Sequence, residues 1–332
     1  MNTDSCRNSG RLGLCIHSLM IRSAADRDSG ARNPISDPLT FLEYCHRLGA
    51  AGLQMPLGTR EADYIARFRQ QAEAYGVFIE GSVGLPRDER ELGPFEAAVR
   101  AAQQMGASVL RTVMIPGRRY ERFGSRDEFR QLAEQGWKSL QLAEPIAARH
   151  RMRLAVENHK DHRVAEKLDV LKRLSSEWVG LCVDTGNDIA LLEDPMALVE
   201  AYAPFAFTVH LKDMAVQEYE DGFLLSEVPL GEGILDLAQM AHVLRQAKPD
   251  VGFTLEMITR DPLQVPCLTP GYWAALQDVP GRELARTLSL VRAKASAQPL
   301  PRVSHRPLDE QLRVEEANIV QSLRFARAKG LG

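Results

Sequence analysis

Short apolar runs alternate with longer amphipathic segments along most of the chain. The two patterns predict different elements: a solid or alternating apolar run of about four to eight residues reads as a strand, and recurrence every three to four residues reads as a helix face. Strands are predicted at Leu12–Ile16, Leu53–Met55, Val77–Glu80, Ser108–Met114, Arg153–Glu157, Val179–Asp184, Ala206–His210 and Val251–Glu256. Helices are predicted at Leu39–Leu48, along Tyr64, Ile65, Phe68, Ala72 and Tyr75, and at Ala97–Met105. Further ones run along Phe129, Leu132, Trp137, Leu140 and Ile146, along Val164, Leu168, Leu171 and Leu174, from Pro195, along Leu237, Met240, Ala241 and Leu244, and at Glu283–Lys294. The polar stretch Arg22–Asp37 and the segment holding Gly231-Glu-Gly233 read as loops. Eight strand–helix units in strict alternation predict an α/β fold, a (β/α)8 TIM barrel rather than an open sheet.

The ends differ from the middle. Residues 1–11 are polar and are expected to be disordered, and the barrel is expected over residues 12–296. Residues 297–332 carry Pro299, Pro301 and Pro307, which predict an extended linker, and then a C-terminal helical extension with Leu312, Ile319 and Leu323 on one side. Glu315 and Glu316 interrupt that stripe, so the helix is expected to pack on the barrel exterior or on a second subunit of a homo-oligomer.

Four successive strands finish in the same way. The runs Leu154-Ala-Val-Glu157, Leu181-Cys-Val-Asp184, Phe207-Thr-Val-His210 and Phe253-Thr-Leu-Glu256 each close an apolar stretch with one candidate metal ligand. In a barrel of this kind the chemistry sits at the carboxyl ends of the strands. One acidic strand end is commonly a loop or cap residue, and one histidine is as easily a hydrogen-bonded core residue. Four on four consecutive strands point to a shared divalent cation, because three carboxylates without one would repel. The donor set is hard and mostly oxygen; it suits Mn2+ first, then Mg2+, and can hold Co2+ or Zn2+.

Composition narrows the function classes. A net charge of −3 over 332 residues gives no general attraction for nucleic acid or anionic membranes. The five cysteines are scattered without C-x-x-C spacing, so they read as reduced, buried thiols. No apolar run approaches the roughly 18 residues of a membrane helix, and the expected location is the cytoplasm.

The strand ends Val-Glu157-Asn-His, Val-Asp184-Thr-Gly-Asn187, Val-His210-Leu-Lys-Asp213, Gly231-Glu-Gly233 and Leu-Glu256 resemble those of the xylose isomerase-like barrels grouped as sugar phosphate isomerases/epimerases. The resemblance spans Leu12 to about Ala293. It implies one Mn2+-like ion on Glu157, Asp184, His210 and Glu256, with Glu157 and Glu256 also acting as proton acceptor and donor at a carbon next to a carbonyl. A sugar isomerase or epimerase working through an enediolate is the leading expectation, on a carbohydrate or cyclitol substrate. Two positions depart from the epimerase pattern: Asn187 stands where a histidine is usual, and Val216 where an arginine is usual. The His-Leu-Lys-Asp run is similar instead to the branch that includes inosose dehydratase, so a lyase or dehydratase on the same site is the alternative. A non-catalytic subunit holding its metal for folding is the third.

The abasic-site endonucleases of the same fold need histidines where this chain has Gln54 and Glu80, and DNA binding is excluded on that ground and on charge. Substrate contacts are expected from His17, Arg111, His159, Asn187 and Lys212. Arg111 is expected to pair with Glu80, and Lys212 to bind a substrate oxygen or pair with Asp184 or Asp213. Arg260 and Asp261 read as structural. The carboxylate inside Gly231-Glu-Gly233 opposes a phosphate there, so an unphosphorylated substrate is expected.

Overall fold

All eight apolar runs become parallel strands of one closed barrel. In the computed structural model, which describes residues 12–331, these are β1 (Gly13–Cys15), β2 (Gly52–Met55), β3 (Phe78–Ser82), β4 (Val109–Thr112), β5 (Arg153–Glu157), β6 (Val179–Asp184) and β7 (Ala206–Leu211). A hairpin of β8 (Asp213–Tyr219) and β9 (Gly222–Val228) precedes β10 (Gly252–Leu255), which pairs with β7 and β1 and closes the ring; β11 (Leu263–Val265) follows. The expectation for residues 1–11 lies outside the described residues, as does Cys6. Among the described residues the remaining four cysteines are free and buried, and no helix is long and apolar enough to cross a membrane.

The apolar layer between strands and helices forms the main core, with Leu14, Leu53, Leu154, Val183, Val209 and Leu255 fully covered. Helix ends follow local chemistry. Asp37 caps Pro38–Leu48 and Asp194 caps Pro195–Tyr202, each accepting two backbone N–H groups at a proline-initiated helix. At one end the barrel is plugged by the Phe78 ring. A Cβ on Gly52 would lie 2.5 Å from that ring, so only glycine fits beneath it.

Two segments read as loops are ordered elements. Met20–Ser29 is a helix with no buried side chain of its own, so it has no apolar stripe to read. Its first N–H groups are capped from far away in sequence: Ile21 and Arg22 donate to Glu315 at 2.7 and 3.0 Å. The loop after β7 forms the antiparallel hairpin β8–β9, to which β11 from the loop after β10 adds a third strand. The inner face of this sheet (Met214, Val216, Phe223, Leu225, Leu263, Val265) packs on Ile189–Leu192 and Tyr272 as a second core. Alternation at Met214/Val216 and Phe223/Leu225 was the available signal.

The C-terminal helix Leu308–Lys329 packs on the barrel of its own chain. It buries Ile319, Leu323 and Ala326, and the residue expected to interrupt its stripe, Glu315, is buried as the cap described above.

Candidate metal centre

Parallel register, staggered around the ring, brings the strand ends together. Asp184 pairs with His210 and His210 with Thr254, while Glu157 ends β5 and Glu256 follows β10. Glu157, Asp184, His210 and Glu256 each offer one ligand atom, all within 4.8 Å of one another and all buried. His210 Nδ1 is 3.6 Å from Glu157 Oε2, 4.0 Å from Asp184 Oδ2 and 3.4 Å from Glu256 Oε1. His210 Nδ1 is buried without a hydrogen-bond partner, while Asp184 Oδ2 has the Lys212 ammonium 2.9 Å away. An unpartnered imidazole nitrogen facing three carboxylates is costly unless something positive lies between them, and the donor set fits a divalent cation.

The tautomer of His210 is set from behind. Its Nε2 donates to Gln54 Oε1 at 2.6 Å, and Gln54 Nε2 donates to Glu80 Oε2 at 2.9 Å, which also accepts the Thr208 hydroxyl at 2.9 Å. A carboxylate on one side of the amide turns its oxygen toward the histidine, so Nε2 carries the proton and Nδ1 keeps its lone pair for a metal. Gln54 and Glu80, read from the sequence as standing in place of histidines and, for Glu80, as a partner of Arg111, thus act through His210. Burial pushes the Glu80 carboxyl up, against the donors from Gln54 and Thr208.

Each carboxylate has a further holder. Arg111 forks onto Glu157 Oε2, and Asn187 Nδ2 donates to Glu157 Oε1 at 3.1 Å. Lys212 Nζ lies 2.7 Å from Glu256 Oε2 and 2.9 Å from Asp184 Oδ2. Asp184 Oδ1 accepts the N–H groups of Gly186 and Asn187. Burial would raise both glutamates, but Arg111 on Glu157 and Lys212 and His210 at Glu256 hold them below the usual carboxylate range. The expected Arg111–Glu80 pair is not formed. Glu80 is level with Val109, two residues deeper than Arg111, and it turns toward Gln54, whereas the arginine reaches up to Glu157.

The other expected contact residues are distributed around this core. His17 Nδ1 is 3.0 Å from Glu256 Oε1, and the ring is about one-third exposed at 36%. His159 lies beyond Glu157 with its Nδ1 buried and unpartnered, and burial lowers its pKa to about 4. Asp213 does not touch Lys212's ammonium. It accepts N–H groups from Gly231, Gly233 and Leu235, so the glycine loop is a nest already filled by an internal anion.

Several neighbours escaped sequence reasoning. Cys15 and Cys182 each fall into ligand-distance groups with the cluster; burial pushes Cys182 up to about 12. Arg260 forks onto Glu227 of β9, whose carboxylate is 4.0 Å from Lys212 Nζ. That role was invisible while β9 was read as loop. Lys160 is buried beside Asn187 in a left-handed backbone conformation, φ +62°, and nothing in its sequence context marks it.

Comparison with known proteins agrees with this architecture. A curated relative, 3-oxo-isoapionate decarboxylase of Pectobacterium atrosepticum, is 28% identical over 114 residues, a match spanning 34% of this chain and 42% of that protein. A xylose isomerase-like TIM barrel protein from Mycobacterium smegmatis, solved in complex with magnesium, superposes with a TM-score of 0.55 at 14% identity, covering 89% of this chain and 100% of the other. An L-ribulose 3-epimerase gives 0.56 at 15% identity and 96% of both chains. At such identities the two structures establish the fold alone. Residues 42–279, most of the chain, match the family described as the xylose isomerase-like TIM barrel. The chain belongs to the xylose isomerase-like TIM barrel family.

Proposed function

We propose that this chain is a divalent-metal-dependent enzyme acting on a carbohydrate-derived carbonyl compound, and that it works as a lyase. Glu157, Asp184, His210 and Glu256 would hold the cation, Mn2+ or Mg2+ by their donor chemistry. When bound, such an ion supplies Lewis-acid stabilisation of negative charge on a substrate carbonyl oxygen.

One observation carries the choice of branch. One oxygen of each ligand glutamate is already held by a cation, Glu157 Oε2 by Arg111 and Glu256 Oε2 by Lys212. A carboxylate is an effective base when its pKa approaches the working pH, and a paired cation moves it the other way. Isomerisation, epimerisation and loss of water all start with removal of an α-proton. Decarboxylation of a 3-oxo acid does not: the bond to the carboxylate breaks, its electron pair moves into the neighbouring carbonyl, CO2 departs, and the resulting enolate carbon takes a proton from solvent. The relative from Pectobacterium, a decarboxylase by name, supports this reading over the part of the chain it matches.

The second reading is the isomerase or epimerase expected from sequence, favoured by two glutamates in one cluster. It requires Arg111 or Lys212 to release its glutamate when substrate binds. Incubating metal-loaded protein in D2O with 3-oxo sugar acids, inososes and keto-sugars separates the two. The lyase reading expects CO2 release from an oxo acid; deuterium in recovered keto-sugar without mass loss would return the assignment to isomerisation. Glu157→Gln and Glu256→Gln are expected to abolish turnover with the far-UV circular dichroism unchanged. Chelation that unfolds the chain would instead mark a structural metal in a non-catalytic protein.

A further inference from the structure

Lys160 is held in a way that its own chain does not explain. The residue follows β5 with φ +62°, a left-handed conformation that is strained for a non-glycine residue. Its side chain is 3% exposed, and its ammonium donates to the neutral oxygen of the Asn187 amide. Among the described residues no carboxylate lies within ion-pair distance of it. The same Asn187 Oδ1 accepts Lys212 Nζ at 3.4 Å, so two ammonium groups converge on one amide oxygen. Asn187 Nδ2 faces the other way, toward Glu157 and the carbonyl of Asn158. Next in sequence, the buried His159 Nδ1 has no partner.

A buried ammonium with one neutral acceptor, beside a second ammonium, is unfavourable by itself. Burial and the Lys212 charge together lower its pKa to about 8. Lys212 is neutralised by Asp184 and Glu256; Lys160 is not. Once a divalent ion sits on the three carboxylates, the ion, Arg111, Lys212 and Lys160 carry more positive charge than those carboxylates carry negative. Arg260 adds nothing to this balance, since Glu227 already holds it. The centre is therefore matched to an anion.

We propose that Lys160 anchors a carboxylate of the substrate beside the metal centre, so that the substrates are sugar acids rather than neutral sugars. The inference rests on the reading of a metal-dependent enzyme given above and names its substrate class. A carboxylate is favoured over a phosphoryl group because the glycine-rich loop that would cradle phosphate already spends its N–H groups on Asp213.

Equilibrium binding tests this without turnover. Threonate, its neutral counterpart threitol and inorganic phosphate are titrated calorimetrically into the Mg2+-loaded wild type, Lys160→Met and Lys160→Arg. Threonate is expected to bind the wild type at least tenfold more tightly than threitol. Lys160→Met should erase that preference, Lys160→Arg should keep most of it, and threitol should not respond to either change. A preference that survives in Lys160→Met would mean the ion alone holds the carboxylate and would overturn the proposal. So would phosphate binding that exceeds threonate and depends on Lys160. Thermal melts of the metal-free proteins add a second readout: removing an unpaired buried charge should leave the melting temperature equal or higher, whereas a marked drop would assign Lys160 a structural role. Failure of CO2 release with these binding results intact would count against the lyase reading only.

Discussion

His210 owes its donor atom to Gln54. The imidazole is fixed by one hydrogen bond at Nε2, and the amide that receives it is fixed in turn by Glu80. Gln54→Leu removes the acceptor and frees the ring to place its proton on Nδ1. Metal affinity is expected to fall about 10- to 100-fold, measured by titrating Mn2+ into the folded variant; an unchanged affinity would show that Gln54 has no part in orienting the ligand. At this scale the candidate ligands were legible because each ends an apolar run on its own strand. The partners were not. Arg111 was matched to Glu80 on neighbouring strands, and the relative heights of those residues inside the barrel decided otherwise.

Among the elements, the β8–β9–β11 sheet and the glycine loop after it form the clearest unit. Asp213 begins β8 and binds the loop that follows β9 through Gly231, Gly233 and Leu235. A Cβ at Gly233 would lie 2.1 Å from Asp213 Oδ1 and 2.5 Å from the Met214 carbonyl oxygen. Gly233→Ala is expected to destabilise by about 1–3 kcal/mol through overpacking. Asp213→Asn is expected to cost about 1–3 kcal/mol, since an NH2 group cannot accept from those N–H groups. Both act on one contact, so in urea unfolding the double variant should lose less than the two single losses added together; full additivity would show that the loop and the carboxylate are independent. Lys212 and Glu227 both stand on or next to this sheet, which ties its integrity to the electrostatics of the centre.

Across the whole molecule, the C-terminal extension closes back on the barrel, and two carboxylates are among its anchors. Glu315 caps Met20–Ser29, and Asp261, in the loop after β10, accepts the N–H groups of Val303 and Ser304 and the Ser304 hydroxyl. The Ser304 hydroxyl, with the two N–H groups and Arg302, lowers the Asp261 pKa to about 2. A carboxyl depressed in the folded state contributes stability that is present above its ordinary pKa of about 4 and is lost as pH falls through the folded value. The melting temperature of Asp261→Asn should therefore lie below that of the wild type by a constant margin near neutrality. The margin should narrow as pH falls from about 4 toward about 2, read from melts at stepped pH. A gap independent of pH would show that the ionised carboxylate is not the anchor.

What the sequence determined by itself was the barrel and the four candidate ligands, because a strand covered on both sides reads as a mostly apolar run, and a carboxylate or imidazole that closes such a run marks the end where the strand meets the site. Two strands matched their expected bounds, Arg153–Glu157 and Val179–Asp184. The tertiary structure decided everything that depends on partners distant along the chain. It ordered Met20–Ser29 through Glu315, 293 or more residues away. It gave Glu157 to Arg111, wrapped the glycine loop round Asp213, and set Lys160 next to Asn187 without a counter-charge among the described residues. Periodicity reports which face of an element is covered; it carries no information about what covers it, and hydrogen bonds and charge pairs across the barrel are settled only when the ring closes.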